Sequence, residues 1–181
     1  MKGRALAILL AILLLTGCVG RPLSFILDGE GNYTGFEKVE EGYTRQAAKL
    51  YGWVILEDLS ITENLAVWQR FLKRAGAGKA AGVRLAEFFG EEMALVDLFY
   101  QQGQYRVFFS DGFDMRDEPF PFLLTLTGET NGQAAYAVAL SGDDSLTFEQ
   151  VMHKFFSAQL DREGDIPAHR VLFLGAGEPT W

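Results

Sequence analysis

Along most of the chain apolar residues recur at every second position, and at two places the spacing changes to three and four, which predicts a largely β protein interrupted by two main helices. Gly52-Trp53-Val54-Ile55-Leu56 is the first strand, rich in β-branched and aromatic residues, and a short helix over 44–51 precedes it. The first main helix is predicted over 62–75. Thr62 would cap it, Leu65, Trp68, Phe71, Leu72 and Ala75 form one apolar stripe, Lys73 and Arg74 occupy its last turn, and Gly76 stops it.

Strands follow over 82–89, 94–100 and 105–109, joined by Gly90-Glu91-Glu92-Met93 and Gln101-Gln102-Gly103-Gln104. In the resulting ladder Arg106 shares a face with Asp97 and lies diagonal to it, within reach of an ion pair. Two more strands, 120–127 and 133–140, meet through Asn131-Gly132, a pair that accepts positive φ at both positions. Thr147-Phe148-Glu149-Gln150 is a capping box opening the second main helix, which has Leu146 placed to staple onto Val151 and buries Phe148, Val151, Met152 and Phe155. A strand over 169–174 closes the chain. The order predicts an α+β fold, a mainly antiparallel sheet of about six to seven strands with the two main helices packed on one face. The strand–helix–strand run from Trp53 to the strand at Gly82 also parallels the run through 135–140, 147–159 and 169–174, which suggests a duplicated unit.

The first residues follow a different logic. Lys2 and Arg4 precede an unbroken apolar run from Ala5 to Leu15, and Leu15-Thr16-Gly17-Cys18 follows. A spanning helix needs about 20 apolar residues, and this run reaches Thr16, Gly17 and Arg21-Pro22 too soon, so it reads as a signal peptide cut after small residues. An aliphatic residue, two small ones and Cys resemble the lipobox of bacterial lipoproteins. That resemblance implies diacylglycerol on the thiol of Cys18, cleavage that makes it the new N-terminus, and attachment to the extracytoplasmic face of the cell membrane. Residues 1–17 are then the signal peptide, 18–42 a Gly-rich tether beginning at the lipidated Cys, and 43–181 one α+β domain.

Cys18 is the only cysteine, so no disulfide is possible within the chain and the core alone must hold the domain; 15 Phe, 6 Tyr and 3 Trp are ample for that. Loss of Met1–Gly17 removes two of the 16 bases and none of the 24 acids, leaving a net charge of −10. That sum disfavours nucleic acid as a partner and argues against a polybasic membrane contact.

The stretch 52–100 resembles an uncharacterised domain of small lipoproteins from Gram-positive bacteria, through Gly52-Trp53-Val54-Ile55, Asn64 with Trp68-x-x-Phe71, Gly78-Lys79, Val83-Arg84 and Asp97-Leu98-x-Tyr100. The family brings no activity; the resemblance implies a compact α+β domain at the cell surface.

Candidate chemistry is sparse. A Gly-x-Ser-x-Gly elbow is absent, His153 and His169 lack zinc-ligand spacing, and Gly76-Ala77-Gly78-Lys79 follows a helix where a phosphate loop must open one. His153 stands four residues after Glu149, away from the apolar stripe, as a solvated pair would. The richest feature is the loop 111–118, where Asp111, Asp114, Asp117 and Glu118 place four carboxylates within eight residues, enough oxygen to attract a hard cation or serve a carboxylate-based hydrolase, with Arg116 offsetting part of the charge. The spacing is not that of an EF-hand, and a solvated connection is the simpler reading; neither a metal nor another cofactor is assigned. The sequence thus points to a lipid-anchored extracytoplasmic protein that binds an envelope protein or a small ligand, with an envelope hydrolase or a structural or stress-related lipoprotein as alternatives.

Overall fold

A computed structural model describes residues 23–37, 39, 43–58, 60–90, 92–110, 118–156 and 168–181. In chain order the elements are α1 (Arg45–Leu50), β1 (Val54–Glu57), β2 (Ser60–Glu63), α2 (Leu65–Gly76), β3 (Ala81–Phe89), β4 (Glu92–Gln101), β5 (Gln104–Phe109), β6 (Pro119–Phe120), β7 (Phe122–Thr130), β8 (Gln133–Ser141), α3 (Phe148–Phe156) and β9 (His169–Ala176). The class is α+β and mostly sheet, as the pattern predicts, but there are two sheets, one of six strands in the order β2-β1-β3-β4-β5-β6 and one of three, β7-β8-β9.

The division has a local cause. β6 pairs with β5 and β7 with β8, and only Pro121 stands between β6 and β7. Proline lacks the N–H that a continuous ladder would use, so the predicted single strand over 120–127 turns a corner there and passes from one sheet to the other. On the far side β2 of the larger sheet approaches β9 of the smaller one. Facing residues of both sheets fill the space between them: Val54, Leu56, Val83, Leu85, Val96, Leu98 and Val107 from the larger, Tyr136, Val138, Leu140 and Phe173 from the smaller.

The two main helices serve different sheets instead of sharing a face. α2 lies against β1 and β3 and drives Trp68 and Phe71 into this common core, where the Trp68 ring meets Phe173 at 5.7 Å and Trp181 at 6.0 Å. α3 covers the outer face of the smaller sheet, burying Phe148 and Val151 with Leu146 over Ala137 and Ala139. Its capping box forms as predicted: the Gln150 amide donates to Thr147 Oγ1 at 3.3 Å, and the Thr147 amide to Gln150 Oε1 at 2.8 Å.

Three further expectations are corrected. Thr62 does not cap α2, because β-branched Ile61 and Thr62 sit in β2, paired with β1; the helix starts after Asn64, whose left-handed backbone (φ 59°) reverses the chain and whose Nδ2 donates to Trp53 O at 2.7 Å and Lys49 O at 3.0 Å. The suggested duplication fails on topology, since β1 and β3 flank α2 in parallel while β8 and β9 flank α3 antiparallel. The stretch 18–42 is not a tether throughout: Leu23, Phe25, Leu27, Tyr33 and Phe36 pack on the outer face of β4 and β5 against Phe99 and Phe108.

Tyr136 lies opposite Gly175, and a Cβ at residue 175 would come within 1.8 Å of the Tyr136 ring. Gly175→Ala must displace a core aromatic, and overpacking of this kind costs about 1–3 kcal/mol. Denaturant unfolding should show that loss, with Gly142→Ala, whose nearest contact is 3.6 Å, as an unaffected control; equal stability of the two variants would refute the packing described for Tyr136.

Candidate functional site

Of the carboxylates singled out in the sequence, Asp111, Asp114 and Asp117 lie outside the described residues, as does Cys18. Glu118 is described and exposed, and the structure brings it to a base: Arg170 Nη2 donates to Glu118 Oε2 at 3.0 Å. His153 stands on the exposed side of α3, whereas His169 is buried at the start of β9, opposite Ser141. Among the described residues no three His, Cys, Asp or Glu side chains gather to hold a metal, and no helix is long and apolar enough to cross a membrane.

Two features have the geometry of a site. One is a buried polar cluster on the outer face of the larger sheet. Arg84 and Asp97 are directly opposed across β3 and β4; Arg84 Nε donates to Asp97 Oδ1 at 2.6 Å and its Nη2 to Oδ2 at 2.5 Å. Nη2 also donates to Gly35 O at 3.0 Å, and the Tyr33 hydroxyl donates to Asp97 Oδ2 at 2.7 Å. The guanidinium is flanked by the rings of Phe36 and Trp53, 5.3 and 5.1 Å from their centroids. Asp97 is 0% exposed, Tyr33 1% and Arg84 8%.

Burial pushes the Asp97 carboxyl up, while the hydrogen bonds and charge of Arg84, and then the Tyr33 hydroxyl, pull it back. The same burial opposes the Arg84 cation, but Asp97 outweighs it and holds the guanidinium more firmly charged than in water. Burial and the charge of Asp97 push the Tyr33 phenol far above its usual range, so it stays a donor. Both Asp97 oxygens, the Tyr33 hydroxyl and Arg84 Nε and Nη2 are thus engaged inside the protein, and the cluster acts as a structural lock.

Asp97 therefore does not pair with Arg106, as the diagonal prediction had it. Arg106 is opposite Phe99 with its guanidinium over the Phe25 ring, 5.7 Å from the centroid. The signal for the true partner lies in the turn: Phe89 opposes Glu92, so the chain reverses across two positions, with Gly90 at φ 65°. Read that way, the turn places residue 84 across from 97. Tyr33 carried no such signal, because its segment has no periodic pattern.

The second feature is a cleft of about 210 Å³ between the first turns of α3 and the end of the smaller sheet. Tyr136, Phe148, Met152, Leu174 and Ala135 give it apolar walls, and Asn131 and Gln133 from the β7–β8 turn give it a polar edge. The turn is set by Asn131 (φ 53°) and Gly132 (φ 74°), as the Asn-Gly pair predicts, and among the described residues no charged side chain lines the cleft. Such a space suits a small group. No family model, curated protein or solved structure matches the chain.

The lock makes a quantitative prediction. Arg84→Met leaves Asp97 buried without its cation and should cost about 3–5 kcal/mol, whereas Arg84→Met with Asp97→Leu should regain most of that loss. Urea unfolding of the two single variants and the double variant closes the cycle; additive losses would show that the two side chains do not act as a pair.

Proposed function

We propose that the protein is an extracytoplasmic lipoprotein, held to the cell membrane through lipid on Cys18, whose folded part is a module that binds an envelope protein or a small ligand. The observation that carries this reading is the run from Lys2 through the apolar segment to Leu15-Thr16-Gly17-Cys18, with no second cysteine in the chain. Two or three acyl chains on one residue hold a protein firmly, at about 0.8 kcal/mol for each buried methylene, so the anchor needs no membrane-spanning element.

The binding half of the proposal is supported by the cleft at α3, whose described residues offer apolar walls and amide groups to a small ligand or to a side chain of a partner.

Cys18→Ser should leave folding unchanged and move the protein from the membrane to the soluble fraction of cells. Retention of a signal-cleaved Cys18→Ser chain in the membrane would contradict the anchor. Crosslinking in intact cells with both forms extends the same experiment to the binding half: a stoichiometric partner on the anchored form supports a protein-binding module, and its absence directs the search to small ligands.

A further inference from the structure

Resting on the lipid-anchor reading, we infer that the domain lies close against the bilayer in a fixed sense, with the basic end of α2 and the start of β3 on an anionic phospholipid surface. Three observations lead there.

The first is the length of chain available. Leu23 already packs in the domain, its Cβ 3.3 Å from where a Cβ on Gly82 would stand, beside Phe99. Only residues 19–22 separate it from Cys18, and five residue steps reach at most about 18 Å even when fully extended. A domain attached so briefly cannot stand away from the headgroups, and the point of attachment is the end of the larger sheet where β3 begins.

The second is charge. The chain is acidic overall, yet residues 64–86 contain five bases, Arg70, Lys73, Arg74, Lys79 and Arg84, and no acid. Arg84 is consumed in the buried lock; the other four are exposed. They sit on the last turns of α2 and the link to β3, which is the end nearest Leu23. The Arg74 side chain is fastened there, donating to Ala80 O at 2.8 Å through Nη2 and at 3.2 Å through Nε.

The third is the other end of the same strand. Beyond Phe89, which is 61% exposed, the neighbouring ends of β1, β3 and β4 carry Asp58, Glu87 and Glu92, beside Glu57, which pairs with Arg45 at 2.8 Å. The strand therefore has a basic foot and an acidic head, and an anionic surface attracts the first and repels the second, at about 1 kcal/mol for each base near the headgroups. The whole-chain charge conceals this arrangement because it sums the two ends.

The test uses the lipidated full-length mature protein, in which acylated Cys18 leaves no free thiol, so one introduced cysteine can carry a nitroxide. Ala80→Cys and Phe89→Cys mark the two ends of β3, about 30 Å apart. In vesicles of phosphatidylcholine with phosphatidylglycerol, collision with a water-soluble nickel chelate should be several-fold lower at residue 80 than at 89. The difference should shrink in phosphatidylcholine alone, in high salt, and with Arg70→Glu, Lys73→Glu and Lys79→Glu together, all exposed positions whose folding is checked by circular dichroism. Equal accessibility at both ends in a protein whose mass shows lipid on Cys18 overturns the orientation. A difference unchanged by lipid charge and by the triple variant overturns the electrostatic contact. A mature chain without lipid overturns the anchor reading itself, and the inference with it.

Discussion

The ion pair between Arg84 and Asp97 is the constraint on which the rest of this structure depends. Two charges taken out of water cost several kcal/mol each, and their attraction repays that only when geometry is good and the remaining donors and acceptors are met. Here the register of β3 and β4 sets the two side chains face to face, and Tyr33 and Gly35 supply the remaining partners. Shifting the ladder by one residue would turn either side chain to the opposite face of the sheet, so the pair fixes the register as well as the contact. It also makes the segment around Tyr33 part of the domain, because the pair is satisfied and dry only when residues 33–36 and Trp53 close over it.

The outer layer is built from the residues that precede β1. Leu23 and Phe25 follow the sheet down to the start of β3, while Phe36 and α1 cover its upper part. On the inner face, the corner at Pro121 folds β7 to β9 over the larger sheet, and α2 supplies Trp68 and Phe71 to the core between them. The same helix that completes this core presents its basic residues at one end of the molecule, so the packing of its apolar stripe and the direction of its charges are one arrangement. α3 covers the outer face of the smaller sheet, and the cleft lies beside its capped first turn.

Much of this was legible from periodicity. The strands from 82 to 109, the Asn-Gly hairpin, the capping box at Thr147 and the stripe on α2 are local signals, and each formed. What the pattern missed was set by contacts distant in sequence. Asn64, with its left-handed backbone, displaced Thr62 as the start of α2 because its amide reaches the carbonyls of Lys49 and Trp53. Pro121 split one predicted strand between two sheets. Tyr33 lies 64 residues from Asp97, and nothing in Gly29-Glu30-Gly31-Asn32 announces the hairpin-like turn that Asp28 organises by accepting from the amides of Glu30 and Asn32, each at 2.8 Å. For function, the legible part is the run that ends at Cys18, on which the proposed address rests and which needs no fold to be read. The acidic loop drew attention by composition, but of its carboxylates the described Glu118 meets Arg170, whereas the cleft is built from ordinary apolar residues that only folding brings together.

The claim that residues 23–37 are a locked layer of the domain, and no spacer, is tested most directly by hydrogen exchange of the protein. Amides over 23–37 should exchange slowly, with protection approaching that of β4, including Thr34, whose N–H donates to Ile26 O at 3.2 Å. Exchange across that segment at the rate of an unfolded chain, while β4 remains protected, would contradict the account.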